Sequence, residues 1–296
     1  MSWRKSGASP VVAKLTDGLG NQIFIFAAAL EQARRLGVDV EVNTSFYRIH
    51  TKRVYGLKQL FETPIHETPI HEATPNIAIR ILKYALRRLK RSDLLKEFRE
   101  KSYHFQPEIF NIRPGTTIEG FFQSPKYFPS VGAEIAKSIR NVVVSATEQA
   151  VIEDVSSRPF IAIHVRRGDY LSEPHLREAF GITTREYYEK SLEMIGGRGV
   201  PFIVFTDSPQ EAKQELGGMK ELVFDSRIFT LGDLATLKLM SLASGIVMSN
   251  SSFSWWAAYT MSHFNPDSTV ISPRPWSKEI YFNEELINRR WWSVGL

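Results

Sequence analysis

The N-terminal stretch changes hydrophobic period twice within about thirty residues. "VVAKL" (11–15) is apolar and β-branched and reads as a strand, "TDGLGN" as a tight turn, and "QIFIFAAALEQARRLG" as a helix stopped by Gly37. "VDVEVN" then returns to strand alternation. After that the pattern loosens. "ETPIHETPIHEATP" (62–75) carries a five-residue unit twice, too few copies for a repeat fold, and reads as a loop with His66 and His71 exposed on it. Over 76–101, Ile77, Ile81, Tyr84, Ala85, Leu89, Leu95 and Phe98 recur at helical spacing and predict one amphipathic helix. "TTIEGFFQSPKYF" (116–128) predicts a short strand and an aromatic turn, and "TEQAVIEDVSSRP" (147–159) a helix with a proline-ended link.

From Phe160 the alternation becomes strict. Strand "FIAIHV" leads to helix "REYYEKSLEMI", introduced by Thr183 and Glu186 at capping-box spacing. Strands "FIVFT", "ELVF", "GIVMS" and "TVIS" then alternate with helices "PQEAKQEL", "DLATLKLMSLA" and "SFSWWAAYTM". Such β/α alternation means parallel strands covered by helices, a doubly wound, Rossmann-type domain. The predicted division is an N-terminal domain over 1–155 and a Rossmann-type domain over 156–296.

Ligands of such sheets bind beyond the carboxyl ends of the strands. The informative residues are therefore His164 to Asp169, Thr206 to Ser208, Asp225 and Asn250 to Phe253. Strand alternation puts His164 and Arg166 on one face, and Val165 and Arg167 on the other. One arginine can grip a phosphate with its planar fork, while the other is tied into the scaffold, with Asp169 as the expected partner. In "MSNSSFSWW" a strand end runs through Asn250, Ser251 and Ser252 directly into a helix, so free N–H groups, hydroxyls and the positive end of the helix dipole converge. Trp255 and Trp256 read as helix packing. "DGLGNQ" is a second glycine turn before a helix; it lacks the third glycine of a dinucleotide fingerprint and the G-K-[ST] of a Walker loop.

Composition narrows the chemistry. The 296 residues are 43% hydrophobic and 23% charged, with no cysteine, so thiolate catalysis and disulfides are excluded. The net charge of +5 is concentrated in the basic helix, with no recognised nucleic-acid module, so nucleic-acid binding is not expected. No apolar run reaches membrane-spanning length and no signal-peptide pattern opens the chain; the expectation is a cytoplasmic protein, with peripheral contact between the basic helix and an anionic inner membrane face. No D-x-D, H-E-x-x-H or G-x-S-x-G occurs, so no metal is expected, and a departing diphosphate has to be stabilised by arginine and helix N-termini.

"DGLGNQIF", "EGFFQSPKYF", "HVRRGDY" and "DLATLKLMSLASGIVMSNSSFSWWAAY", in that order, resemble the bacterial α-1,2-fucosyltransferases of glycosyltransferase family 11 over nearly the whole chain. The resemblance implies an α/β, GT-B-like fold of two Rossmann-type domains facing across a cleft, with the N-terminal domain on the acceptor side. It also implies inverting, metal-independent transfer of L-fucose from GDP-β-L-fucose to a galactose-type hydroxyl of a glycan, which can be lipid-linked. By position it gives Arg166 the β-phosphate, places His164 beside it, and brings the Gly18, Gly20 and Asn21 turn to the donor. It assigns phosphate binding to Ser251, Ser252 and Phe253, and guanine to Asp207 by location alone. Arg166, His164, Asp169 and Asn21 form the implied catalytic group, with Asp17, His164, Asp169 and Glu173 as candidate bases. The competing readings are a nucleotide-sugar or glycan binding module that has lost catalysis, and a fucosyltransferase of another linkage. The resemblance does not extend to the 62–101 loop and basic helix.

Overall fold

The computed structural model describes residues 7–51, 53–61, 66–67, 81, 84–85, 96–168, 182–196, 199–277, 285–287 and 290–295. Its contacts divide the chain into two compact units, Met1–Gly132 and Ala133–Leu296.

In the first unit, β1 (Val11–Lys14), helix α1 (Leu19–Leu36) and β2 (Val40–Asn43) follow the expected strand, turn, helix, strand order. Three short strands complete the sheet: β3 (His66–Glu67), β4 (Glu97–Arg99) and β5 (Thr117–Glu119). All pairs are parallel in the order β3-β2-β1-β5-β4. α1 is buried on most of its surface from Leu19 to Ala33 and ends at Gly37, whose φ of 65° suits a residue without Cβ.

Two expectations are corrected here. The 62–75 segment is not all loop, because His66 and Glu67 pair with Glu41 and Val42 as β3; the rest of that segment, His71 included, lies outside the described residues. The 76–101 segment is not one helix. Ile81, Tyr84 and Ala85 are helical, but Lys96 turns at a φ of 47°, and Glu97–Arg99 pair with Thr117–Glu119. A left-handed residue ends a helix, and the ladder to β5 then satisfies backbone groups that helix would otherwise have used. Arg80, Lys83, Arg87, Arg88, Lys90 and Arg91 lie outside the described residues.

The second unit begins with α2 (Gly132–Asn141) and α3 (Ala146–Ser156), which precede the expected boundary at 155/156 yet pack within this unit. Glu148 accepts from the Gly232 N–H at 3.0 Å, and Lys238 donates to the Val142 carbonyl at 2.9 Å. The expected alternation then appears as β6 (Ile161–Val165), α4 (Arg185–Ile195), β7 (Phe202–Thr206), α5 (Pro209–Leu216), β8 (Leu222–Val223), α6 (Asp233–Ser241), β9 (Gly245–Val247), α7 (Ser252–Phe264) and β10 (Thr269–Arg274). A last strand, β11 (Trp292–Gly295), was not predicted. The parallel order is β11-β10-β9-β6-β7-β8. From β6 the chain adds β7 and β8 on one side, then crosses to place β9, β10 and β11 on the other. The strand order therefore reverses between β6 and β9, where a doubly wound sheet opens a crevice.

β6 is buried along its whole length. Ile161, Ile163 and Val165 join one core with Tyr187, Tyr188, Ala212 and Leu216 from α4 and α5. Among the described residues no helix is long and apolar enough to cross a membrane.

A buried carboxylate on α1 tests how the first unit is held. Glu31 is 2% exposed and accepts from Ser130 N (2.9 Å), Ser130 Oγ (2.7 Å) and Val131 N (3.2 Å). Glu31→Ala leaves the buried Val131 N–H without its acceptor, while the exposed Ser130 donors can turn to water, and the expected loss is about 2 kcal/mol of unfolding free energy. Urea denaturation reads it directly; a loss below about 1 kcal/mol would mean that water replaces the carboxylate.

Candidate functional site

The switch-point crevice of the second unit collects the residues that the sequence singles out. β6 ends in His164, Val165, Arg166 and Arg167, β7 in Thr206 and Asp207, and β9 leads through Ser249 to Asn250 and Ser251, the last being the N-cap of α7. Three adjacent strands thus bring 164–168, 206–208 and 249–253 side by side.

The two arginines occupy different environments. Arg167 is buried, and its Nε and NH2 groups each reach a Glu215 carboxylate oxygen at 2.8 Å. The same guanidinium donates to the Thr183 carbonyl (2.8 Å) and the Arg166 carbonyl (2.9 Å). Burial works against its charge, but Tyr188 and Glu215 hold the guanidinium above its ordinary range. The scaffold partner is therefore Glu215 of α5, while Asp169, the partner expected from sequence, lies outside the described residues, as does Glu173. Arg166 keeps a side chain 22% exposed, and its NH1 stands 3.3 Å from Asp207 Oδ2.

Asp207 secures the turn after β6. Its Oδ1 accepts from the Arg167 N–H at 2.9 Å and the Gly168 N–H at 3.1 Å. Burial raises its carboxyl, yet Arg166 and the two amides leave it below the usual range, so it is ionised. A Cβ on Gly168 would stand 2.6 Å from Asp207 Oδ2, which explains glycine at that position.

His164 forms a strut across the crevice floor. It is 5% exposed, its Nδ1 lies 2.6 Å from Ser249 Oγ, and its ring stacks on Phe253 at 5.9 Å between centroids. Its carbonyl accepts from Tyr188 OH at 2.9 Å, and burial pushes that phenol up to about 12, so it stays a donor. Ser251 Oγ accepts from the Phe253 N–H at 3.3 Å. The first turn of α7 therefore starts at the end of β9, beside β6, where its N–H groups favour an anion. Trp255 and Trp256 are buried, and Trp255 Nε1 donates to the Leu286 carbonyl at 2.6 Å, which is packing.

The expected capping box at Thr183 is displaced by one residue. Thr184 caps α4 by accepting from the Tyr187 N–H, because the Thr183 hydroxyl is engaged 2.7 Å from Tyr188 OH and its carbonyl holds Arg167.

Gly18, Gly20 and Asn21 belong to the first unit, at the turn from β1 into α1. Gly18 is the N-cap, Asp17 adopts a φ of 60°, and Asn21 Oδ1 accepts from Gln123 Nε2 at 2.9 Å. This bond joins "DGLGNQ" to "EGFFQ", about a hundred residues apart in the chain. Gln22 is fully buried; it donates to the Asp17 (3.0 Å) and Val54 (2.8 Å) carbonyls and accepts from the Gly56 N–H (2.9 Å). Gln22 and Gln123 lie inside these two motifs, but residue type alone gave neither a role. Glu215 carries no local signal, and only the tertiary fold pairs it with Arg167. Among the described residues no cluster of three or more His, Asp or Glu is arranged to hold a metal ion.

Comparison with known proteins adds a lineage. The profile described as "Glycosyl transferase family 11" matches residues 11–294. An Escherichia coli protein named alpha-1,2-colitosyltransferase is 25% identical over 292 residues, 95% of each chain. The O-antigen biosynthesis glycosyltransferase WbnK of Escherichia coli is 24% identical over 288 residues, covering 88% of this chain and 93% of that one. Among solved structures, a fucosyltransferase NodZ from Bradyrhizobium is 14% identical, with a TM-score of 0.47 over 85% of this chain and 92% of that one.

The buried His164 ring generates a pH prediction. Burial pushes its pKa down to about 4; Asp207 pulls it back up, while Arg166 and Arg167 add to the depression. A histidine depressed in the fold contributes stability that is present above the unfolded value of about 6.5 and lost as pH falls towards the folded value. Between those limits the loss is expected to reach roughly 3 kcal/mol, at 1.36 kcal/mol per unit. The stability difference between wild type and His164→Gln, from urea unfolding at pH 7, 5.5 and 4.5, should shrink by most of that amount. A constant difference would place the charged imidazolium in the native state.

Proposed function

The chain belongs to glycosyltransferase family 11, and from that premise we propose that it moves L-fucose from GDP-β-L-fucose to a galactose-type hydroxyl in α-1,2 linkage, with inversion and without a metal. The observation that carries this reading is the division of labour between the two arginines. Arg167 is committed to Glu215 and Thr183, whereas the Arg166 side chain stays 22% exposed beside Asp207, at the carboxyl end of β6.

In the proposed reaction the acceptor oxygen attacks the anomeric carbon as the bond from that carbon to the β-phosphate oxygen breaks on the opposite face. Negative charge grows on the departing diphosphate, where Arg166 and the first-turn N–H groups of α7, with Ser251, Ser252 and Phe253, stabilise it. The hydroxyl proton passes to a base drawn from Asp17, His164, Asp169 and Glu173. Asp207 was expected to contact guanine. With its carboxylate engaged by Arg166 and two amides, its proposed role is to hold the phosphate-binding turn in place.

The relative named for α-1,2-colitosyl transfer supports a second donor reading, in which the transferred sugar lacks the fucose 3-hydroxyl. The relative named for O-antigen biosynthesis supports a surface glycan as acceptor. Release of GDP from the fucosyl and colitosyl donors, with and without β-galactosides, separates both readings from a binding module, which releases none. NMR of the product reports the linkage and the anomeric configuration.

Arg166→Ala is expected to lower GDP release by about 10²–10³, and Arg166→Lys to recover little of it, because a point charge does not reproduce a two-pronged grip. A lysine variant within threefold of wild type would remove Arg166 from the leaving-group role. EDTA is expected to leave the rate unchanged; loss on chelation with recovery on Mg²⁺ or Mn²⁺ would assign that role to a metal.

A further inference from the structure

His164 carries a single ring proton at neutral pH, because burial pushes its pKa down to about 4. Which nitrogen holds that proton is set by the hydrogen bond that the other nitrogen makes. Nδ1 lies 2.6 Å from Ser249 Oγ, and two arrangements fit that contact. Either the hydroxyl donates to a bare Nδ1 and the proton sits on Nε2, or an Nδ1–H donates to the hydroxyl and Nε2 is bare.

Donor accounting separates the two. Ser249 is fully buried, and among the described residues its Oγ has no hydrogen-bond partner other than His164. A proton on Nδ1 would leave the Ser249 O–H without an acceptor, at the full desolvation cost of a buried donor. If the hydroxyl donates, both buried groups are satisfied and no donor is orphaned. The length points the same way. N–H groups usually stand about 2.7–3.2 Å from an oxygen, whereas hydroxyls donate over about 2.5–3.0 Å.

Both ends of the bond are anchored from one turn of α4. Tyr188 OH donates to the His164 carbonyl at 2.9 Å, and Tyr187 OH donates to the Met248 carbonyl at 2.6 Å, just after β9. These neighbouring tyrosines are buried, and burial raises both phenols, so each remains a donor. The Ser249 carbonyl accepts from the Ser251 N–H at 2.8 Å and Ser254 Oγ at 3.1 Å, and Phe253 stacks on the imidazole. Hydroxyl and ring are therefore held opposite one another by four side chains of α4 and α7 and by the backbone between β9 and α7.

We infer that Ser249 fixes the His164 imidazole with its proton on Nε2, which makes Ser249 a positioning residue and His164 a hydrogen-bond donor at the crevice floor. His164 is then not the base, and Asp17, Asp169 and Glu173 remain of the four candidates. The inference rests on the fucosyltransferase reading for the reaction that His164 serves, but not for the position of the proton.

Nitrogen NMR of the full-length protein labelled with ¹⁵N-histidine reads the tautomer, the His164 signals being assigned by their loss in His164→Gln. At pH 7 the wild type should show a protonated Nε2 and a bare Nδ1. Ser249→Ala should add a second population with the proton on Nδ1, and Ser249→Thr, which keeps the hydroxyl, should restore the single tautomer. Should the alanine variant fail to fold, Ser249→Cys, a weaker donor, is expected to show the same second population. A wild-type proton on Nδ1, or a pure Nε2–H tautomer in the variant without the hydroxyl, overturns the inference. With GDP-fucose as substrate, Ser249→Ala should lower kcat/KM for GDP release about tenfold, the equivalent of one hydrogen bond. His164→Gln, whose amide presents an N–H near the place of Nε2, should exceed His164→Asn by about tenfold; equal losses in the two overturn the donor role. If neither wild type nor any variant releases GDP, the transferase reading fails, while the nitrogen spectra still decide the tautomer.

Discussion

A guanidinium cannot escape burial by losing its proton, so the protein must build a partner for Arg167 or not fold. It builds one from α5. Glu215 meets the guanidinium with both oxygens, and Thr183 and Arg166 supply carbonyls for the remaining donors. Removing one side of such a pair costs about 3–5 kcal/mol, because the other charge is left without compensation. This requirement ties the end of β6 to α5 and to the start of α4. Since Arg167 is fixed, strand alternation fixes Arg166 on the opposite face, where Asp207 holds it without enclosing it.

The same economy governs the rest of the crevice. His164 is kept neutral by burial and spans β6 and β9 through Ser249, so the crevice floor is a hydrogen-bonded strut that adds no charge. Positive potential then comes from two sources: a guanidinium set by its neighbour, and the first turn of α7. Asp207 balances Arg166, and its two backbone acceptances tie its carboxylate to the turn after β6.

Legibility in the sequence followed strand length and burial. The alternation from Phe160 could be read because strands covered on both faces are continuous apolar runs, each separated by a helix-length polar-apolar period. β3, β4 and β11 are two to four residues long and escaped notice; so short a strand has no period of its own, and pairing with neighbours decides it. The basic segment read as one helix because Phe98 continues the spacing, whereas Lys96 at positive φ leads into β4. At the site, residue types and strand-end positions picked out the segments that the fold brings to adjacent strand ends, since an arginine pair after a buried strand and a Ser-Ser helix start carry their own chemistry. Partners remote in sequence, such as Glu215 for Arg167, Ser249 for His164 and Gln123 for Asn21, carried no such mark.

Each sheet reverses its strand order once, and at each reversal the protein spends its least tolerant backbone: Gly168 against Asp207 in one unit, Gly120 against Glu100 and left-handed Asp17 and Phe122 in the other. The two places differ in charge. One sets Arg166 beside Asp207 after a buried strand; the other gathers Lys14, Arg99 and Lys101 with Glu100 and Glu119 beside the parallel rings of Tyr103 and Phe121.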